Sequence, residues 1–219
     1  MSVPLDSTLR RLQAASGLVF GLFLALHLVN TWMAGISPAL YDGVQRAIRP
    51  LYQSAVVEPV ILAALLVHVG VGLLRKLLGR QPPGSARARW HRNAGVLVAV
   101  FVFGHVFAVR GASYLAGVYP EFAGLSFTLA HVPGYFYPYY LLFGAAALYH
   151  GLNGIGIAAA RLGWRIGMRT GVLVGATAVG SALLLVALLG FGGLLYPIDD
   201  PYDNDYARLV LGIVGGEAP

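Results

Sequence analysis

The residues best suited to chemistry in this 219-residue chain are four histidines, His27, His68, His105 and His150. Each lies inside a different apolar stretch, the first four in order. Ionisable side chains within a bilayer are costly and mark functional positions. Taken singly, an intramembrane histidine more often hydrogen-bonds a neighbouring helix or serves a proton path than ligates a metal. Taken together, the four can be compared by depth. At a helical rise of 1.5 Å per residue, His68 lies about 10 Å from Arg75, His150 about 17 Å from Arg161, His105 about 20 Å from Arg92 and His27 about 24 Å from Arg11. Measured from one side of the membrane, these depths form an inner pair, His68 with His150, and an outer pair, His27 with His105. Two imidazoles at one level on facing helices can take both axial positions of a flat macrocycle, and bundle cores host such sites. The expected chemistry is electron transfer through two bis-histidine haems, about 10 Å apart in depth. His91 and His131 are expected in loops near the interfaces.

The elements that position these histidines follow from composition. Hydrophobic residues make up 58% and charged residues only 11%, against about 25% charged in a soluble domain. Mean hydropathy is +0.71. Such a chain cannot coat a globule with polar groups, so the lipid bilayer is its solvent. Five stretches reach the ~20 apolar residues a spanning helix needs: Ala14–Ala34, Ala55–Leu74, Asn93–Gly117, Gly134–Ala160 and Gly171–Leu195. The first exceeds the h-region of a cleaved signal and is retained as a span. The predicted fold is all-α: one five-span bundle over residues 1–219, its four-helix core enclosing the two haems. No internal repeat is apparent. With no cysteine, disulfides, thiolate metal sites and cysteine nucleophiles are excluded.

Basic residues set the expected orientation. Arg10 and Arg11, then Arg75, Lys76, Arg80, Arg87, Arg89 and Arg92, then Arg161, Arg165 and Arg169 fall on one side, eleven of the 15 Lys and Arg. The other side holds Arg46, Arg49, Arg110 and Arg208 with most of the acids. The positive-inside rule puts the N-terminus in the cytoplasm and the C-terminus outside a bacterial inner membrane. The net charge of +6 is thereby a topology signal and leaves a nucleic-acid partner nothing to explain. Trp90 and Trp164 at the inner interface, and Tyr135, Phe136, Tyr137, Tyr139 and Tyr140 at the outer, fit aromatic belts. The longest linker is Gly79–Arg89.

Around the histidines, Gly17, Gly21, Gly70, Gly72, Gly151 and Gly154 would admit a porphyrin, and equally permit tight helix packing. Haem propionates want cations. Arg75, Lys76, Arg92 and Arg161 are candidates for the inner haem and Arg110 for the outer, although each also reads as a snorkelling residue.

Three motifs bring the chain close to a known family. Arg11-Leu12-Gln13-Ala14-Ala15-Ser16-Gly17 with Phe23-Leu24-Ala25-Leu26-His27-Leu28-Val29-Asn30, Arg92-Asn93-Ala94-Gly95 with His105 ten residues on, and His150-Gly151-Leu152-Asn153-Gly154 together resemble the dihaem cytochrome b membrane anchor of succinate dehydrogenase and fumarate reductase, respiratory complex II. Gln13 stands where that family often has His. The resemblance spans nearly the whole chain. It implies two haems b with the same ligand pairs, and a flavoprotein and an iron–sulfur subunit docked on the basic cytoplasmic face. It further implies electron passage from succinate through flavin, clusters and haems to a quinone, with dihaem members associated with menaquinone. The chain would then be the quinone-reactive subunit of an enzyme complex and hold no catalytic residue of the succinate chemistry.

Candidates for an outer quinone pocket are Asn30, Trp32, Glu58, Arg110 and His131. Glu58 can shuttle quinol protons or simply begin a helix ahead of Pro59. An inner pocket near Arg11 and Ser16 stays open, as do the direction of the reaction and the oligomeric state. Three rivals remain: a hydrogenase- or formate-dehydrogenase-type cytochrome b anchor; a haem-free transporter, which should carry deep Asp or Glu; and a haemless structural anchor. The acidic segment Asp199–Asp205 reads as an outward-facing turn.

Overall fold

In a computed structural model of the chain, residues 3–79, 84–164 and 167–216 are described. Arg80 and Arg165 of the charge count lie outside them. The described residues form eight helices and no strand. Five are long and apolar enough to cross a membrane: α1 (Val3–Met33), α3 (Val57–Leu77), α4 (Ala86–Ala116), α6 (Pro133–Arg161) and α7 (Thr170–Phe191). The chain is a multi-pass, all-α membrane bundle.

Two span boundaries move. α1 starts at Val3 and α4 at Ala86, well before the apolar runs at Ala14 and Asn93. Ser85 caps α4, its hydroxyl accepting the Ala88 N–H at 3.3 Å. The helix therefore begins in the polar segment, and Arg87, Arg89, Trp90, His91 and Arg92 are helical rather than in a loop. Only its far end obeys glycine: Gly117, at φ 68°, closes α4 in the left-handed conformation other residues rarely adopt.

Three shorter helices were not anticipated: α2 (Pro38–Tyr52), α5 (Phe122–His131) and α8 (Asp205–Val214). With five alternating spans, all three gather at the end opposite the N-terminus. Ser37 caps α2 by accepting the Leu40 N–H, and Pro38 occupies the first helical turn, where its missing N–H is harmless. Asn204 caps α8 through the Ala207 N–H at 2.9 Å. The acidic segment thus leads into a capped helix, with Arg208 paired to Asp203 and Asp205. Arg49 and Arg46 of α2 meet Glu121 ahead of α5, and Asp42 accepts the Phe122 N–H at 2.9 Å. Burial, reinforced by the neighbouring Glu121, pushes the Asp42 carboxyl above its ordinary range despite that hydrogen bond.

The spans pack in a definite ring. α1 packs on α3 and on α6, α6 packs on α4, and α7 lies outside against α6 and α1. The α6–α7 seam is made by small residues: Leu184 of α7 seats on Gly144 of α6, and Leu148 of α6 seats on Gly180 of α7. Helices in lipid gain little from apolar burial and rely on such close approach. α3 and α4 do not pack as a helix pair. Among the described residues they are joined, at the end opposite the N-terminus, by the ion pair of Arg110 with Glu58. α1 therefore faces α4, and α3 faces α6, across a common interior.

Candidate site between facing histidines

Each of the four spans of that ring presents one histidine to its diagonal partner. The rings of His27 on α1 and His105 on α4 have centroids 6.0 Å apart. Those of His68 on α3 and His150 on α6 are 5.9 Å apart. The members of each pair do not touch as a hydrogen-bonded pair would. Two imidazoles gripping one metal from opposite sides, each nitrogen about 2.0 Å from it, place their centroids about 6.3 Å apart. Both observed separations match that span.

The inner pair is held by one device used twice. His68 Nδ1 meets the Gln13 carbonyl at 2.9 Å, and His150 Nδ1 meets the His91 carbonyl at 2.9 Å. A carbonyl only accepts, so Nδ1 carries the proton and donates, and Nε2 keeps the lone pair a metal needs. One turn beyond each carbonyl stands a glycine against the same ring. A Cβ on Gly17 would lie 2.8 Å from His68 Cε1, and one on Gly95 would lie 2.6 Å from His150 Cε1. Both glycines precede a histidine of the outer pair, His27 and His105, by ten residues. α1 with α3 and α4 with α6 are thus two versions of one helix pair. The equivalence lies in a few interval-matched positions and not in the sequence at large.

The outer pair is held by apolar rings. Phe23 stacks on His27 at 5.7 Å and Phe143 lies edge-on to His105 at 5.4 Å. Beside His105 opens a cavity of about 350 Å³ between α4 and the tyrosines of α6, roofed by α5 and α8. Above His27 a polar chain runs outward. The Asn30 amide donates to Gln45 Oε1 at 2.6 Å, and Gln45 Nε2 donates to the Tyr52 hydroxyl at 2.8 Å. Asn30 Oδ1 is buried with no hydrogen-bond partner.

Other expected positions sort differently. Glu58 and Arg110, considered separately in the sequence, are one bidentate pair at 2.5 and 2.8 Å, with Tyr114 stacked under the guanidinium. Arg110 is therefore engaged by a carboxylate already. Arg75 is buried between Asp6 and the Gln13 side chain, so it too is committed within the fold. Arg92 sits on α4 beside His91. Trp32 turns away from Asn30 toward α7, its ring 3.4 Å from the space above Gly180. His131 ends α5 and stacks on Phe127, in a cluster with Tyr202 and Tyr206. Gly21 and Gly70 line no close approach, Gly72 faces Gln13, Gly151 faces Leu24 and Gly154 faces His91. Gly17 and Gly95 are the glycines that press on histidine rings, those of His68 and His150. His91 is the residue sequence reasoning missed: its ring lies parallel to His150, 4.1 Å away at 3°. At the same end Arg87 ties Asn153 of α6 to the Met168 carbonyl, which gives Asn153 a bracing role.

The fit to a cofactor can be judged on these donors. Among the described residues no three His, Cys, Asp or Glu converge. A bare metal ion would have two protein ligands at each pair, too few for any common site. A haem would ask only two imidazoles of the protein at each site, and His68 with His150 and His27 with His105 would supply them. No known protein family, curated protein or solved structure matches this chain.

Proposed function

We infer that the chain is the membrane-anchor cytochrome b subunit of a succinate:quinone oxidoreductase, carrying electrons between an iron–sulfur subunit and membrane quinone. The observation that carries the reading is the double pairing of imidazoles at metal-bridging separation, 6.0 and 5.9 Å. His68 and His150 would hold the inner haem b, and His27 and His105 the outer. Bound there, haem supplies a reversible one-electron couple. The protein's own part is to hold four imidazoles neutral, to present Nε2 from the inner two, and to exclude water with Phe23 and Phe143.

The basic N-terminal end, with Arg10, Arg11, Arg87, Arg89 and Arg92, is the proposed cytoplasmic face, where the flavoprotein and iron–sulfur partners dock. The membrane is then the bacterial inner membrane, with the C-terminus outside. Quinone, with menaquinone favoured by the resemblance, is placed at the outer end near Asn30 and the Glu58–Arg110 pair. There a carboxylate and an unpartnered amide oxygen could exchange hydrogen bonds with a quinol.

The test is optical. Detergent-purified protein reduced with dithionite should give a b-type spectrum with two haems per chain. His68→Ala and His150→Ala should lose one and the same haem, His27→Ala and His105→Ala the other. A colourless preparation, or His27→Ala and His68→Ala losing a shared haem, would overturn the assignment. Co-purification of a covalent-flavin subunit separates complex II from a hydrogenase- or formate-dehydrogenase-type anchor.

A further inference from the structure

Gln13 and His91 occupy equivalent places in the two helix pairs. Each offers its main-chain carbonyl to an inner imidazole at 2.9 Å, and each is followed one turn later by the glycine that presses on that ring. Their side chains differ. Gln13 turns away to bond Arg75 at 2.9 Å, leaving His68 with a hydrogen bond and a glycine edge alone. The His91 side chain lies flat on His150, 4.1 Å apart and 3° from parallel, with its Cε1 close to Gly154. Its Nδ1 is buried and has no hydrogen-bond partner among the described residues. The contact that the ring itself makes with the inner site is this stacked face.

We propose that His91 is the positioning residue of the inner site: its carbonyl sets the His150 tautomer and its ring fixes the plane of that imidazole. This rests on the reading that His68 and His150 hold a haem. The Nδ1 hydrogen bond and the Gly95 edge both act at one rim of the ring and leave it able to tilt; a parallel ring against its face removes that freedom. The two inner imidazole planes stand at 83° to each other. The angle between axial imidazole planes governs the g anisotropy of a ferric low-spin haem, so the clamp has a spectroscopic signature at one haem only. Outer-shell groups that orient a ligand also tune its metal, so the inner midpoint potential is a second readout.

The experiment compares wild type with His91→Phe, which keeps a flat face, and His91→Leu, which keeps volume without one. Both retain the carbonyl. Haem content, ferric EPR and redox titration are measured on the detergent-purified full chain. Expected are two haems in all three. The inner haem's largest g value and midpoint potential should be unchanged in His91→Phe and displaced in His91→Leu, with the outer haem unmoved throughout. A His91→Leu inner haem indistinguishable from wild type would overturn the proposal. So would His91→Phe shifted as far as His91→Leu, or loss of both haems in His91→Leu, which would assign His91 to the fold. A colourless wild type would overturn the haem reading itself and this proposal with it; a wild type with two haems and silent variants overturns this proposal alone.

Discussion

Replacing Gly95 by alanine tests whether the inner site is built by close approach of helix to ring. The added Cβ would stand 2.6 Å from His150 Cε1 and 2.8 Å from Nδ1, where unstrained carbon contacts keep about 3.5–4.0 Å. The imidazole would have to retreat by about 1 Å, whereas a metal site tolerates about 0.2 Å at each ligand. The same retreat draws Nδ1 off the His91 carbonyl, now 2.9 Å away. Overpacking of this kind costs about 1–3 kcal/mol, roughly 5- to 150-fold in an equilibrium constant. Haem per chain is measured on detergent-purified protein beside Gly175→Ala, an exposed α7 glycine with open space around it. Gly95→Ala should fall toward one haem per chain and share the spectrum of His150→Ala. Gly175→Ala should keep two. Full retention in Gly95→Ala with an unaltered spectrum would refute the argument that the ring is wedged between Gly95 and its partner.

Further outcomes follow from other contacts. Glu58→Gln leaves Arg110 without its carboxylate at a largely buried junction of α3 and α4; it should cost about 3 kcal/mol in thermal unfolding, and a Glu58→Gln/Arg110→Met double variant should recover most of it. The Asp42 carboxyl titrates above its ordinary value of 3.8, so the folded state holds that proton longer than the unfolded one. The group therefore contributes a penalty that appears as pH rises through this window. Asp42→Asn, which can still accept the Phe122 N–H, should unfold at a temperature that gains on wild type from about pH 4 upward and then levels. Asn204→Ala removes the α8 cap and the amide's bonds to the Pro201 and Ala123 carbonyls; a loss of about 1 kcal/mol is expected in the same assay.

The five spans were legible because lipid leaves no choice: a segment that crosses it must be about 20 residues long and nearly free of charge. The levels of the four histidines were legible too, since a helix converts residue number into height at a constant rate. α2, α5 and α8 escaped a search for long apolar runs. Two of them nonetheless carried their signals, Ser37-Pro38 before one helix and Asn204 before another, and α2 spaces Tyr41, Val44, Ile48 and Leu51 along one face. The equal ten-residue interval from Gly17 to His27 and from Gly95 to His105 was also in plain view. It meant nothing until the ring each glycine touches was known.

What tertiary structure alone decided is which way side chains turn. Residue number fixes a side chain's height on a helix but its partner depends on how the helices are rotated and packed, which a uniformly apolar span does not encode. Hence Arg110 closes on Glu58, Trp32 faces α7 while Asn30 faces α2, and His91, two residues before the apolar stretch that begins at Asn93, lies flat against His150. Height came from the chain's own covalent geometry, and azimuth came from the packing of α1, α3, α4 and α6 around a shared interior.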